Sequence, residues 1–196
     1  MSRTRKILRS LLVVGLTAGA VGAATFSAFS GTTSSSGNSF AAGTVAIGDN
    51  DAGAAVVSLA AAAPGSTSSG CIAVTATGSL DSAVRLYGTI TGALGPYVTL
   101  TVTRGTQASP SFRSCTGFTP DATNYAGLGS GVLYSGPLSS YPATYAAGIV
   151  DPVTATPETW TTGETHVYRF DATLANNNAA QGTSATATFT WEAQNL

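Results

Sequence analysis

The chain has 196 residues, room for one compact domain and a short address or linker segment. Only 9% of the residues are charged and about a quarter are Ser or Thr, a composition foreign to cytosolic enzymes. Arg3, Arg5, Lys6 and Arg9 hold half of the eight cations, while the nine acids all lie beyond residue 48 and face only Arg85, Arg104, Arg113 and Arg169, so nucleic acid and anionic lipid are excluded as electrostatic partners.

The N-terminal basic residues run into an apolar stretch from Ser10 to Ala24, which reads as the helical h-region of a secretory signal peptide. An uncleaved membrane anchor is the competing reading. Hydrophobicity fades after Ala24, short of the roughly 20 residues that span a bilayer. The Ser/Thr/Gly tract from Ser30 to Ser39 follows as the one low-complexity segment. Export would place Cys71 and Cys115 in an oxidising exterior where they can pair; two buried thiols are the alternative.

Beyond residue 38 the strong helix formers are scarce, and Thr, Val and aromatic residues recur with period two between Gly, Pro and Asn. The alternation predicts strands near Phe40 to Ile47, Ala54 to Leu59, Cys71 to Thr77, Val84 to Ile90, Tyr97 to Thr103, His166 to Leu174 and Ala185 to Ala193. Val98, Leu100 and Val102 share one face of the fifth, with Thr99, Thr101 and Thr103 on the other. Turn signals separate these runs at 49–53, Pro64-Gly65, Gly78-Ser79, Gly92 to Pro96 and Asn176 to Asn178. Such spacing is that of an all-β, antiparallel sandwich. From Arg104 to Gly163 the pattern loosens, with six prolines among seven aromatic residues. It reads as a long folded connection with one helical turn and a short hairpin near Val132 to Leu138.

The chemistry is sparse. His166 is the only histidine, so two-His zinc motifs are excluded within one chain. It sits in the apolar alternation His166, Tyr168, Phe170, Ala172, Leu174, which favours a packed, hydrogen-bonded side chain. Glu164 and His166 share a strand face, but no third ligand is evident. A Ser-His-Asp arrangement stays open, yet Gly129-Ser130-Gly131 lacks the spacing of a nucleophile elbow. Asp49-Asn50-Asp51 fits a turn better than a calcium loop. No catalytic residue, metal ligand or cofactor is therefore assigned. Lysine-dependent isopeptide links are excluded, because Lys6 is the last lysine.

Several segments in order resemble the TasA/camelysin family of exported proteins that depend on a SipW-type signal peptidase, in an actinobacterial-like branch. They are Gly22-Ala-Ala-Thr-Phe-Ser-Ala-Phe-Ser30, Asn38-Ser-Phe-Ala-Ala-Gly-Thr-Val45, Pro64-Gly65 with Cys71 to Ser79, Val132-Leu-Tyr-Ser-Gly136, Trp160-Thr-Thr-Gly-Glu164, Tyr168-Arg-Phe170 and Phe189-Thr-Trp-Glu-Ala193. The resemblance implies a jelly-roll-like β-sandwich over 39–196, a signal peptide over 1–28 cleaved between Ala28 and Phe29, and a flexible segment over 29–38. It also implies a secreted fibre subunit of an extracellular or cell-surface matrix. The freed segment would join a neighbouring subunit as a strand, with Phe29, Ser30, Thr32, Thr33 and Phe40 as assembly residues. Expected partners are further copies of the chain, other matrix proteins and, during export, the signal peptidase, with no stable membrane insertion after cleavage. Camelysin-like members carry a metalloprotease label, so a cell-surface metalloprotease is the alternative, beside a monomeric adhesion or binding module.

Overall fold

A computed structural model describes residues 42–60, 62–152 and 158–196. Nine strands form in chain order: β1 (Ile47–Asp49), β2 (Thr67–Ala76), β3 (Ser82–Thr91), β4 (Val98–Thr106), β5 (Thr119–Pro120), β6 (Val132–Pro137), β7 (Ile149–Asp151), β8 (Thr165–Leu174) and β9 (Thr186–Asn195). One sheet has the order β1-β2-β8-β4-β5, with β6 also paired to β4; the other has the order β7-β3-β9. Every ladder is antiparallel. The all-β reading holds, and among the described residues no helix is long and apolar enough to cross a membrane.

Period-two sequence becomes two-faced strand. Val98, Leu100 and Val102 of β4, Tyr168, Phe170, Ala172 and Leu174 of β8, and Ile72, Val74 and Ala76 of β2 are all buried on one face. Val84 and Leu86 of β3 belong to the same core. The two sheets meet through aromatic pairs: Tyr168 with Trp191 at 5.3 Å and Phe170 with Phe189 at 4.6 Å between ring centroids. Such tilted contacts add to the area term of burial. On the outer face of the larger sheet, Cys71, Ala73 and Val167 make a second small cluster with Cys115 and Phe118.

Three expectations need correction. Phe40 to Ile47 is not one strand: Phe40 lies outside the described residues, and β1 begins only at Ile47. Thr44 and Ala46 instead give their carbonyls to the turn at residues 77–80, so these residues bind a loop rather than a ladder. Ala54 to Leu59 forms no strand. It crosses close over Gly70, where an added Cβ would stand 2.0 Å from the Val56 carbonyl oxygen, and this stacking on a sheet face takes its backbone out of ladder geometry. Instead of a hairpin near Val132 to Leu138 there is a single strand, Val132–Pro137. Its partner is the distant β4, and Pro137, which has no N–H to give, stands at its end. The long connection does hold short 3-10 turns, at Leu138–Ser140 and Tyr145–Ala147.

Asp49 to Gly53 forms the expected turn. Ala52 and Gly53 have φ of 52° and 80°. The Asp49 and Asp51 carboxylates accept the Asp51 and Gly53 N–H groups, while Asn50 Oδ1 accepts from Ala73 N. These oxygens are spent on backbone donors, as Asx turns require.

Candidate functional site

Two features stand out: a buried charged cluster and an open sheet edge. Arg104 continues the inward parity of Val98, Leu100 and Val102, so its side chain enters the core with only 4% exposure. A buried guanidinium needs counterions, and the long connection delivers them. Nη1 donates to Asp121 Oδ2 at 2.8 Å and to the Tyr125 hydroxyl at 3.0 Å, Nη2 donates to Glu158, and Nε lies 3.4 Å from Asp151 Oδ1. Asp151, fully buried, accepts the Tyr168 hydroxyl at 2.5 Å. Loss of hydration pushes the Asp151 carboxyl up to about 7, although Arg104 and Tyr168 pull the other way.

His166 joins this cluster from β8. Its ring lies 4.5 Å from that of Trp160, and its Nε2 is 2.8 Å from Glu164 Oε1. With Nε2 donating to Glu164, Nδ1 is free to accept from Arg104 Nη2 at 2.8 Å; the network assigns this tautomer. Burial and then the Arg104 charge hold the imidazole below its ordinary value, so it is neutral at pH 7. Burial alone would raise the Glu164 carboxyl. The Thr161 N–H and His166 outweigh burial and leave it lowered.

Glu158, Glu164 and His166 each offer one ligand atom within 4.8 Å of the others. Glu158 is thus the third group that sequence spacing did not bring beside Glu164 and His166. Arg104, however, already bonds Glu158 and His166, and a metal ion would have to displace a guanidinium whose proton the surrounding acids hold more firmly than usual. What the cluster does chemically is balance charge. It ties Asp121, Tyr125, Asp151 and Glu158 of the connection to β4 and β8.

The disulfide joins Cys71 and Cys115, with Cα atoms 5.2 Å apart. It holds the 107–118 loop against the outer edge of β2, where Arg113 N donates to the Cys71 carbonyl at 2.8 Å. That edge is capped further by Asn50 on Ala73 N. The remaining edges are short: β1 and β7 have three residues each and β6 has six, ending on Pro137. β9 differs. It is ten residues long, pairs with β3 on one side only, and no described strand covers the other side. Beside it lies a groove of about 690 Å³, walled by Ala54–Ala60 and by Ala185–Phe189 with Trp191, and reaching Ile72 and Leu100 of the core. Trp191 Nε1 is buried without an acceptor among the described residues.

The leader-end and assembly residues Ala28, Phe29, Ser30, Thr32, Thr33 and Phe40 lie outside the described residues. No protein-family model matches the chain, and no curated protein matches it.

Proposed function

We propose that the protein is a secreted structural subunit that assembles into extracellular fibres by adding its N-terminal segment as a strand to a neighbouring copy. The observation that carries this reading is the bare outer edge of β9. A long, unpaired strand exposes a row of N–H and C=O groups and recruits another strand unless something blocks it. β9 contains no Lys, Arg or Pro, and Glu192 is its one charged residue. The three other sheet edges are short or capped, so the exposure is selective. Strand addition supplies main-chain affinity, and an adjoining groove supplies side-chain fit. The apolar run at 10–24, the Ser/Thr-rich surface and the Cys71–Cys115 bridge suit an exported protein.

Electron microscopy of leader-cleaved and leader-bearing protein at matched concentration tests the reading. Filaments are expected from the cleaved form alone. Filaments from both forms, or from neither across pH and salt, overturn it.

A further inference from the structure

We infer that the Arg113–Ser114 peptide bond is a processing site for an arginine-specific endopeptidase, and that the product is a two-chain protein joined through Cys71 and Cys115. This goes beyond the fibre reading and does not depend on it.

The cations of the chain narrow the choice. Beyond residue 9 there are four arginines and no lysine, so a protease whose specificity pocket carries an acid has four bonds to choose from. Three belong to sheet strands. Arg104, on β4, is 4% exposed. Arg85 is on β3, laddered to β7 on one side and β9 on the other, and its guanidinium lies over the Tyr145 ring. Arg169 is on β8 between β2 and β4 and pairs with Asp171. Drawing any of these three into a protease cleft means dismantling the ladders, at a free energy close to that of global unfolding, whereas a loop opens locally at far lower cost.

Arg113 differs on each count. It is exposed, it lies outside the nine strands in the 107–118 loop, and no described residue engages its side chain. Its φ of 65° puts a residue with a β-carbon in the left-handed region, which such residues disfavour, so the turn holds strain that opening relieves. Few bonds close it. Arg113 N donates to the Cys71 carbonyl at 2.8 Å and Ser114 N to the Ser111 carbonyl at 3.0 Å, while the Gln107 amide holds the Ser114 carbonyl at 3.1 Å. Small polar residues flank the bond, and serine rather than proline follows it, as in loop tips that proteases nick.

Hydrolysis adds water across the bond, leaving a carboxylate on Arg113 and an amine on Ser114. Cys71 stays in the first chain and Cys115 goes to the second, so the disulfide spans the cut. The β2–β8, β4–β8 and β3–β9 ladders span it too. The product therefore keeps its fold, while Arg113 is free to leave Cys71 and uncover that point on the outer edge of β2.

Trypsin acting on the folded full-length protein is the probe. Apart from trimming at residues 3–9, one cut is expected. Under reduction it gives a fragment ending at Arg113 and another running from Ser114 to Leu196; without reductant it gives one species, heavier than the trimmed parent by a water. Arg113→Gln is expected to abolish the cut at an unchanged thermal midpoint, and Gln107→Ala to speed it roughly fivefold by freeing the Ser114 carbonyl. A first cut after Arg85, Arg104 or Arg169, or none before global unfolding in urea, overturns the site. An unchanged rate in Gln107→Ala refutes local opening as the route. Fragments that separate without reductant, or a cut that abolishes cooperative melting, overturn the two-chain product. Protein recovered from the producing cells should show a Ser114 N-terminus by mass spectrometry; intact chain alone there overturns processing, whatever trypsin does.

Discussion

The charged cluster makes a quantitative demand on stability that Asp151→Asn can test. Asp151 is completely buried, with Oδ2 accepting from Tyr168 at 2.5 Å and Oδ1 facing Arg104 Nε at 3.4 Å. Lost hydration lifts its proton affinity to about 7 in the folded protein against 3.8 for an exposed carboxyl. A group whose folded pKa is raised gives stability that is whole below its unfolded value and is lost as pH climbs through the folded one. At about 1.36 kcal/mol per pH unit, that interval is on the order of 4 kcal/mol. His166 carries the opposite sign: its value is lowered in the fold, so its contribution is present above its unfolded value and lost as pH falls. The wild-type curve mixes the two, and the difference between wild type and variant isolates Asp151. Asparagine keeps the shape and the acceptor for Tyr168 but has no proton to lose, and Asp121 and Glu158 remain to balance Arg104. In urea titrations from about pH 4 to about pH 8, the variant is expected to gain on wild type by up to that amount as pH rises. A difference that stays constant with pH, or that runs the other way, refutes the account of this carboxyl.

Cys115→Ser opens a loop whose closure spans 44 residues and should cost about 4 kcal/mol by chain entropy; thermal melts with and without reductant should converge on the variant's value. Gly70→Ala puts a Cβ 2.0 Å from the Val56 carbonyl oxygen and should cost roughly 1 to 3 kcal/mol, with proteolysis between Ala54 and Ala60 rising in step. Thr188→Lys places a charge on the bare edge of β9, so filament yield measured by sedimentation should collapse while stability shifts by no more than about 0.5 kcal/mol.

Period two located the strands well wherever one face was core and the other wet: the alternations at Val84 to Ile90, Tyr97 to Thr103 and His166 to Leu174 all lie within, or within one residue of, β3, β4 and β8. It failed at Ala54 to Leu59, because alternation records a side chain's surroundings and not whether its backbone finds a partner. The charged cluster was half legible. Arg104 has the parity of Leu100 and Val102, and an arginine on a core face announces buried counterions. Which acids answer it could not be read, since Asp121, Asp151 and Glu158 arrive through a connection with no period to place them. The same non-local closure brought Glu158 beside Glu164 and His166. β9 was visible as a strand, but its bare edge was not, because pairing partners are a property of topology.

The two features of the molecule divide a single problem between them. A chain with four arginines and no lysine after residue 9 has little charge with which to guard its sheet edges. Covalent and ionic ties do that work at most of the boundary: the disulfide holds the 107–118 loop on β2, and Arg104 fixes the connection that supplies β7 to the outer side of β3. Neither tie reaches β9. Strand addition needs an acceptor that keeps its shape while it waits, and a sandwich with every edge bare would associate in any register. On the proposed fibre reading, closing the rest of the perimeter would confine pairing to one strand, and the groove beside that strand would select the side chains that follow. Loosening the Arg104 cluster should therefore broaden association before it prevents it: Arg104→Met is expected to yield disordered aggregates in place of filaments as β7 lifts from β3, and ordered filaments from that variant would show that the cluster serves stability alone.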